Sequence, residues 1–208
     1  MKKMITVPQF YAEPETLQLK NLRGLRTDSA AFSDEECTQP LFSHEFYECT
    51  FTDITFRGRM SGCLFADCIF DHCDFSNIDL SESVCRRVQF KACRMTGTEW
   101  VRSSFQDTEF SSCHCGYANF YGAKWKLCAL TDSKFTEASL SESKFNDVRL
   151  SRCDFTKAEF ALTSLKGMDF SDSVIDGFTV SPESLKGVIM NEEQALACAV
   201  LLGIRIRH

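Results

Sequence analysis

Counting by fives from Met60, every position through Leu185 is apolar, from Met60, Phe65, Phe70 and Phe75 through Trp100, Phe120 and Phe155 to Ile175, Val180 and Leu185. All 26 positions are hydrophobic in a chain that is 44% hydrophobic, so the spacing marks an internal repeat. A period of five suits neither ordinary element. On an α-helix, steps of five advance about 140° around the axis and would spread the apolar residues over every side. On a flat strand an odd period alternates between the two faces. A single inside requires a chain that turns a corner every five residues, as a solenoid does.

A second repeat position agrees. Two residues before the centres stand Cys63, Cys68, Cys73, Ile78, Ser83, Val88, Cys93 and their successors to Phe178; none is charged and most are small. A large centre and a small partner thus point inward, and the other three positions hold nearly all the charge. Ser or Thr often follows the centre (Ser76, Ser81, Thr96, Thr136, Thr156, Ser171), where a hydroxyl can bond the backbone of a corner. Cys73-Asp74-Phe75-Ser76-Asn77, Ala118-Asn119-Phe120-Tyr121-Gly122 and Cys153-Asp154-Phe155-Thr156-Lys157 resemble the A-(D/N)-(L/F)-x-x consensus of the pentapeptide-repeat family. That resemblance implies an all-β fold, a right-handed quadrilateral β-helix with four repeats per coil.

The pattern divides the chain in three. Residues 1–40 break the repeat and read as an N-terminal cap or extension, with a short helix possible over Pro14–Leu22. Residues 41–180 read as the β-helix. Within them Phe46, Phe51 and Phe56 keep an earlier register, and the step of four from Phe56 to Met60 marks a deletion or corner defect at Arg57-Gly58-Arg59. Residues 181–208 read as a turn, a helix from Asn191 to Leu202 with Asn191 as N-cap and Gly203 closing it, and a short strand Ile204-Arg205-Ile206. The helix is more apolar than a solvated cap requires, which points to a homodimer seam through Leu196, Val200 and Ile204. Leu185-Lys186-Gly187-Val188, Gln194-Ala195 and Leu202-Gly203-Ile204 resemble the C-terminal segment of the Qnr-type, quinolone-resistance branch, and this also implies tail-to-tail dimerisation.

Composition narrows the chemistry. The formal net charge of −6 lacks the basic footprint of a nucleic-acid binder, so no direct nucleic-acid contact is expected. There is no run of 18 apolar residues for a membrane span and no signal-peptide core, so a bacterial cytoplasmic address is expected. Of the twelve cysteines, eight take the small inward position and two, Cys85 and Cys115, are centres. They read as reduced, buried hydrophobes, with Cys73, Cys93, Cys113 and Cys153 in one ladder. Their spacings lack the paired pattern of zinc sites, and no metal or other cofactor is expected. His44 falls inward, His72 and His114 outward, and His208 is terminal. No catalytic set follows from spacing, so the chain does not read as an enzyme.

If four repeats make a coil, residues twenty apart stack. The side centred on Met60, Leu80, Trp100, Phe120, Leu140, Phe160 and Val180 then carries Asp79, Glu82, Glu99, Glu142 and Glu159 against only Arg59 and Arg102. A column of carboxylates resembles duplex phosphates in sign and layout. The Qnr-type resemblance implies a DNA-mimicking rod that binds DNA gyrase or topoisomerase IV through these five residues and protects it from quinolones. Plasmid-borne members carry projecting loops; the register from Met60 to Val180 has none, as in loop-less chromosomal relatives, which makes inhibition of the enzyme comparably plausible. Protection against another toxin or peptide antibiotic, or a protein-binding scaffold unrelated to topoisomerases, are the alternatives.

Overall fold

The computed structural model describes residues 4–205 and shows a right-handed, four-sided β-helix closed at its C-terminal end by a short α-helix. Four strands, Val84–Lys91, Ser104–Ser111, Lys124–Thr131 and Lys144–Ser151, stack in parallel, with Phe90 opposite Phe110, Phe110 opposite Leu130 and Leu130 opposite Leu150. Twenty residues therefore make one coil. Each of these strands covers two sides and bends at a residue of positive φ between them (Arg87, Asp107, Leu127, Asp147). The other two sides carry only single bridges, such as Asp74 to Arg94 and Asp79 to Glu99. They close through turns in which Ile78 N donates to Phe75 O (3.0 Å) and Ser83 N to Leu80 O (3.3 Å), with Asn77 and Glu82 at φ 61°. That is the signature of a type II turn, whose third residue must take φ > 0.

The centres fill the tube. Phe70 stacks on Phe51 at 4.5 Å and on Phe90 at 5.0 Å, Phe90 on Phe110 at 4.8 Å, and Phe105 on Trp125 at 4.4 Å. All twelve cysteines are buried and free. The thiols of Cys73, Cys93 and Cys113 donate to the carbonyls of Phe51, Phe70 and Phe90 (3.4, 3.5 and 3.4 Å), while Ser133 stands between Cys113 and Cys153 in the same column and accepts from Cys113 N. Burial pushes the Cys63 and Cys128 thiols up to about 12.

The parallel ladder begins well before residue 41. Thr27 pairs with Phe46 and Phe32 with Phe51, so strands Arg26–Asp28 and Ala30–Ser33 already belong to the coil. The first coils are nineteen residues long, as Phe51 opposite Phe70 also shows. The missing residue lies at the Arg57-Gly58-Arg59 corner, where Arg57 N and Gly58 N both donate to Cys37 O (2.8 and 3.2 Å). A Cβ on Gly58 would lie 2.1 Å from Gln39 O, so only glycine fits. The helix expected over Pro14–Leu22 is one 3₁₀ turn, Leu19–Asn21. Glu15 N donates to Ser29 O and Leu17 N to Ala31 O, which commits that backbone to the ladder instead.

The repeat also runs past Val180: Asp169 bridges Ile189, and Leu165 N donates to Ser184 O (3.1 Å). Beyond Ser151 the long strands give way to turns at all four corners, through Thr163 N, Met168 N, Ser173 N and Phe178 N. The strand Lys144–Ser151 therefore ends its sheet, and its inward residues Phe145, Val148 and Leu150 are only half-buried. Helix α1 (Glu192–Ala199) opens with the expected N-cap. Asn191 accepts from Gln194 N, and Gln194 Oε1 accepts from Asn191 N, a full capping box. Gln194 Nε2 then donates to Phe170 O and Ser173 O (2.9 and 2.7 Å), satisfying carbonyls of the last coil. Ile204 and Arg205 form no strand, since Ile204 N folds back to Ala199 O (3.1 Å); Ile206 lies outside the described residues.

Two predictions follow from this core. Phe105 and Phe120 are fully buried, so Phe105→Ala or Phe120→Ala should each lower the unfolding free energy by ~3–5 kcal/mol in chemical denaturation. His44 is buried, with Nε2 2.8 Å from Thr27 Oγ1 and its ring against Phe46, and burial lowers its pKa. An unfolded histidine titrates near ~6.5, so the His44 contribution is complete above that pH and is lost as pH falls towards the lower native value. Melting temperature should drop less between pH 7 and pH 5 in His44→Gln than in the parent.

Candidate protein-interaction face

The five acidic residues picked out above lie on one side of the rod, in two neighbouring columns. Asp79, Glu99, Asn119, Ser139, Glu159 and Thr179 are bridged coil to coil. Glu82, Arg102, Gly122, Glu142 and Leu162 take the adjacent corner, all at positive φ. Rungs of such a ladder lie about 4.8 Å apart. The four glutamates are exposed and Asp79 is half-buried.

The columns differ in what holds them. Asp79 accepts from Ser81 N (3.0 Å) and pairs with Arg59 (2.9 Å). Burial pushes its carboxyl up, but the bonds from Arg59 and Ser81 outweigh this and leave it below the usual range. The same bond to the N–H two residues on recurs at Asp74–Ser76, Asn119–Tyr121 and Asp154–Thr156. Asp79 is thus part of its own turn as well as of the acidic side, an Asx motif that the D/N position of the repeat builds in. Glu99 accepts from Asn119 Nδ2 (2.8 Å), and Tyr121 bonds Glu142, which raises the tyrosine pKa. The glutamates make no such turn bond among the described residues, so their charge is the part of this side that the fold does not use.

At the C-terminal end, Leu196, Val200 and Ile204 are 45%, 69% and 53% exposed, and Leu201 joins them. Helix α1 turns Gln194 and Cys198 towards the last coil instead. A groove of about 480 Å³ between the helix and the last coil is lined by Ile175, Phe178, Ala197, Cys198 and Leu201. His72 pairs with Asp71, and His114 sits outward between Arg94 and Lys134. Among the described residues no three His, Cys, Asp or Glu side chains are arranged to hold a metal ion, and no helix is long and apolar enough to cross a membrane.

What the sequence pattern did not reveal is a second carboxylate column, Glu48, Asp67 and Asp107, bonded to the N-terminal segment. Residues 4–13 carry no repeat, so nothing in their order points to where they lie.

Comparison with known proteins places this geometry. Residues 63–140 match the family description "Pentapeptide repeat region" and residues 133–172 match "Pentapeptide repeats (8 copies)", together more than half of the chain. No curated protein matches significantly. Among solved structures, a trypsin-treated variant of QnrB1, a plasmid-mediated fluoroquinolone resistance protein, superposes with a TM-score of 0.58 at 21% identity, covering 92% of this chain and 95% of that one. HetL from the cyanobacterium Nostoc, involved in heterocyst differentiation regulation, gives 0.36 at 13% identity over 81% and 90%. At these identities the first likeness shows the fold.

The Arg59–Asp79 pair generates a direct check. In Arg59→Gln the Asp79 carboxyl loses its guanidinium partner, and its pKa, followed by NMR titration, should move up towards the ordinary aspartate range of ~3.9.

Proposed function

This chain belongs to the pentapeptide-repeat family, and we propose that it is a DNA-mimicking protein that binds a type II topoisomerase, DNA gyrase or topoisomerase IV, and protects it from quinolones or inhibits it. The observation that carries the reading is the pair of acidic columns on one side, where the exposed carboxylates of Glu82, Glu99, Glu142 and Glu159 make no turn bond among the described residues. Carboxylates repeated along a rigid rod offer the grooves of a DNA-binding enzyme the sign and linear layout of phosphates. The β-helix shared with QnrB1, a fluoroquinolone resistance protein, supports the choice of partner. The role proposed is one of binding, which fits a tube whose interior is filled by its own centres.

The exposed apolar end formed by Leu196, Val200 and Ile204 supports a homodimer joined tail to tail. Two rods of roughly 40 Å would then span about 80 Å, or about 24 base pairs at 3.4 Å each. A topoisomerase partner places the protein in the bacterial cytoplasm.

The test is a gyrase supercoiling assay titrated with this protein, with and without a fluoroquinolone. Recovery of supercoiling under drug is the expected result; inhibition without rescue keeps the mimic and removes protection; no effect in either arm removes the topoisomerase and leaves a scaffold. Glu82→Gln, Glu142→Gln and Glu159→Gln combined should weaken the effect about tenfold, at ~0.5 kcal/mol per exposed charge contact, with the melting temperature unchanged.

A further inference from the structure

Residues 4–11 lie extended along one corner of the rod, crossing coils instead of winding with them. Thr6 N donates to Asp107 Oδ1 (3.1 Å), Gln9 N to Asp67 Oδ1 (3.0 Å) and Tyr11 N to Glu48 Oε2 (2.9 Å). Glu48, Asp67, Arg87 and Asp107 are equivalent corner residues, one per coil, with φ between 52° and 55°. The segment is therefore a strap parallel to the rod axis, tied by backbone N–H groups to carboxylates of three different coils. Asp67 and Asp107 are only 7% and 8% exposed, whereas Asp147, further along the same column, is exposed. Arg87 also caps Asp67, with Nε 2.6 Å from Oδ1.

The strap is lightly held compared with the coil. None of residues 4–13 is fully buried or part of a strand, and Met4, Val7 and Tyr11 are 85%, 53% and 80% exposed. It can leave without opening the core, as weakly packed segments do. From Met4 to Tyr11 it contains no charged residue, so it covers the carboxylates without neutralising them.

We propose that residues 4–11 are a displaceable cover over Glu48, Asp67 and Asp107, a second acidic row that leads on to the already exposed Asp147 and that becomes available to a basic partner only when the strap leaves. Seated, the strap confines such a partner to the side of Asp79 and Glu82. Displaced, it opens a second row of acceptors one corner away, which widens the acidic surface around the rod. The proposal rests on the basic-partner element of the reading above and not on that partner's being a topoisomerase.

The experiment uses the full chain and a fluorescent decalysine peptide, read by anisotropy at low salt. Thr6→Pro together with Gln9→Pro removes the two N–H donors to Asp107 and Asp67 while leaving the column intact. Chymotrypsin should then cut faster at Phe10 and Tyr11, and decalysine should bind about fivefold tighter, as expected for one or two added exposed charge contacts. Asp67→Asn and Asp107→Asn in that background should return binding to the parent value. In the unaltered chain, decalysine should speed hydrogen exchange at the Gln9 and Tyr11 amides. A strap that is cut faster with binding unchanged would make it a staple and overturn the cover, as would Gln9 exchange that decalysine leaves alone. Neither readout involves gyrase, so loss of the topoisomerase reading and loss of the cover remain separate results.

Discussion

A coil that turns every five residues needs one residue in five to accept the left-handed backbone conformation, and the rest of the structure follows from that corner. Non-glycine residues at φ near 55° occupy most corners, from Ser29 and Glu48 through Arg87 and Tyr117 to Leu162. Each costs about 1–2 kcal/mol relative to glycine. Each corner also sends one large side chain into the tube, and burying a phenylalanine or leucine contributes about 1.5–3 kcal/mol. Burial exceeds the corner cost by only about 1 kcal/mol per repeat, so stability rests on an unbroken stack of centres. Leu127 and Leu162, apolar yet at corners, show that the backbone position overrides side-chain preference there.

The corner also sets the axial register. Because each coil from Met60 onward returns after twenty residues, the N–H groups of one coil meet the carbonyls of the next: Leu80 N to Glu99 O and Trp100 N to Asn119 O, both at 2.7 Å. Coil length can change only where a corner absorbs the difference. Gly58 does so against Gln39 O, allowing nineteen-residue coils below it. The change to four tight turns after Ser151 has the opposite cost: Phe145, Val148 and Leu150 lose part of their cover.

Stacking at one rung spacing brings like residues together on the outside as well as the inside. Asp79 sits on Glu99, a repulsive pair that Arg59 relieves from one side and Asn119 from the other. Glu82 and Glu142 have Arg102 and Gly122 between them in their column. The acidic side is thus spaced by partners that lessen its self-repulsion, while the glutamates stay exposed. Asp79 differs in kind: its carboxylate also closes a turn, so its place in the repeat has a structural cause even without a partner.

The period of five, the small inward partners and the Asn191 cap with its glutamine were legible because each depends on neighbours within a few residues. The same locality made residues 1–40 opaque. Steps of four and five alternate through Cys37, Leu41 and Phe46, and Thr27 stands at a centre, so the period fades although Phe32 stacks on Phe51. It also misled at Ile204-Arg205, whose alternation suggests a strand that would have no neighbour to pair with. The sequence by itself determined that the chain coils and which side of it is acidic, since both follow from spacing along the backbone. Only the tertiary structure decided where the coil begins, where its wall loosens, and that residues 4–11 lie across three coils on a second row of carboxylates. Those features depend on contacts between residues as far apart as Thr6 and Asp107, which no local pattern records.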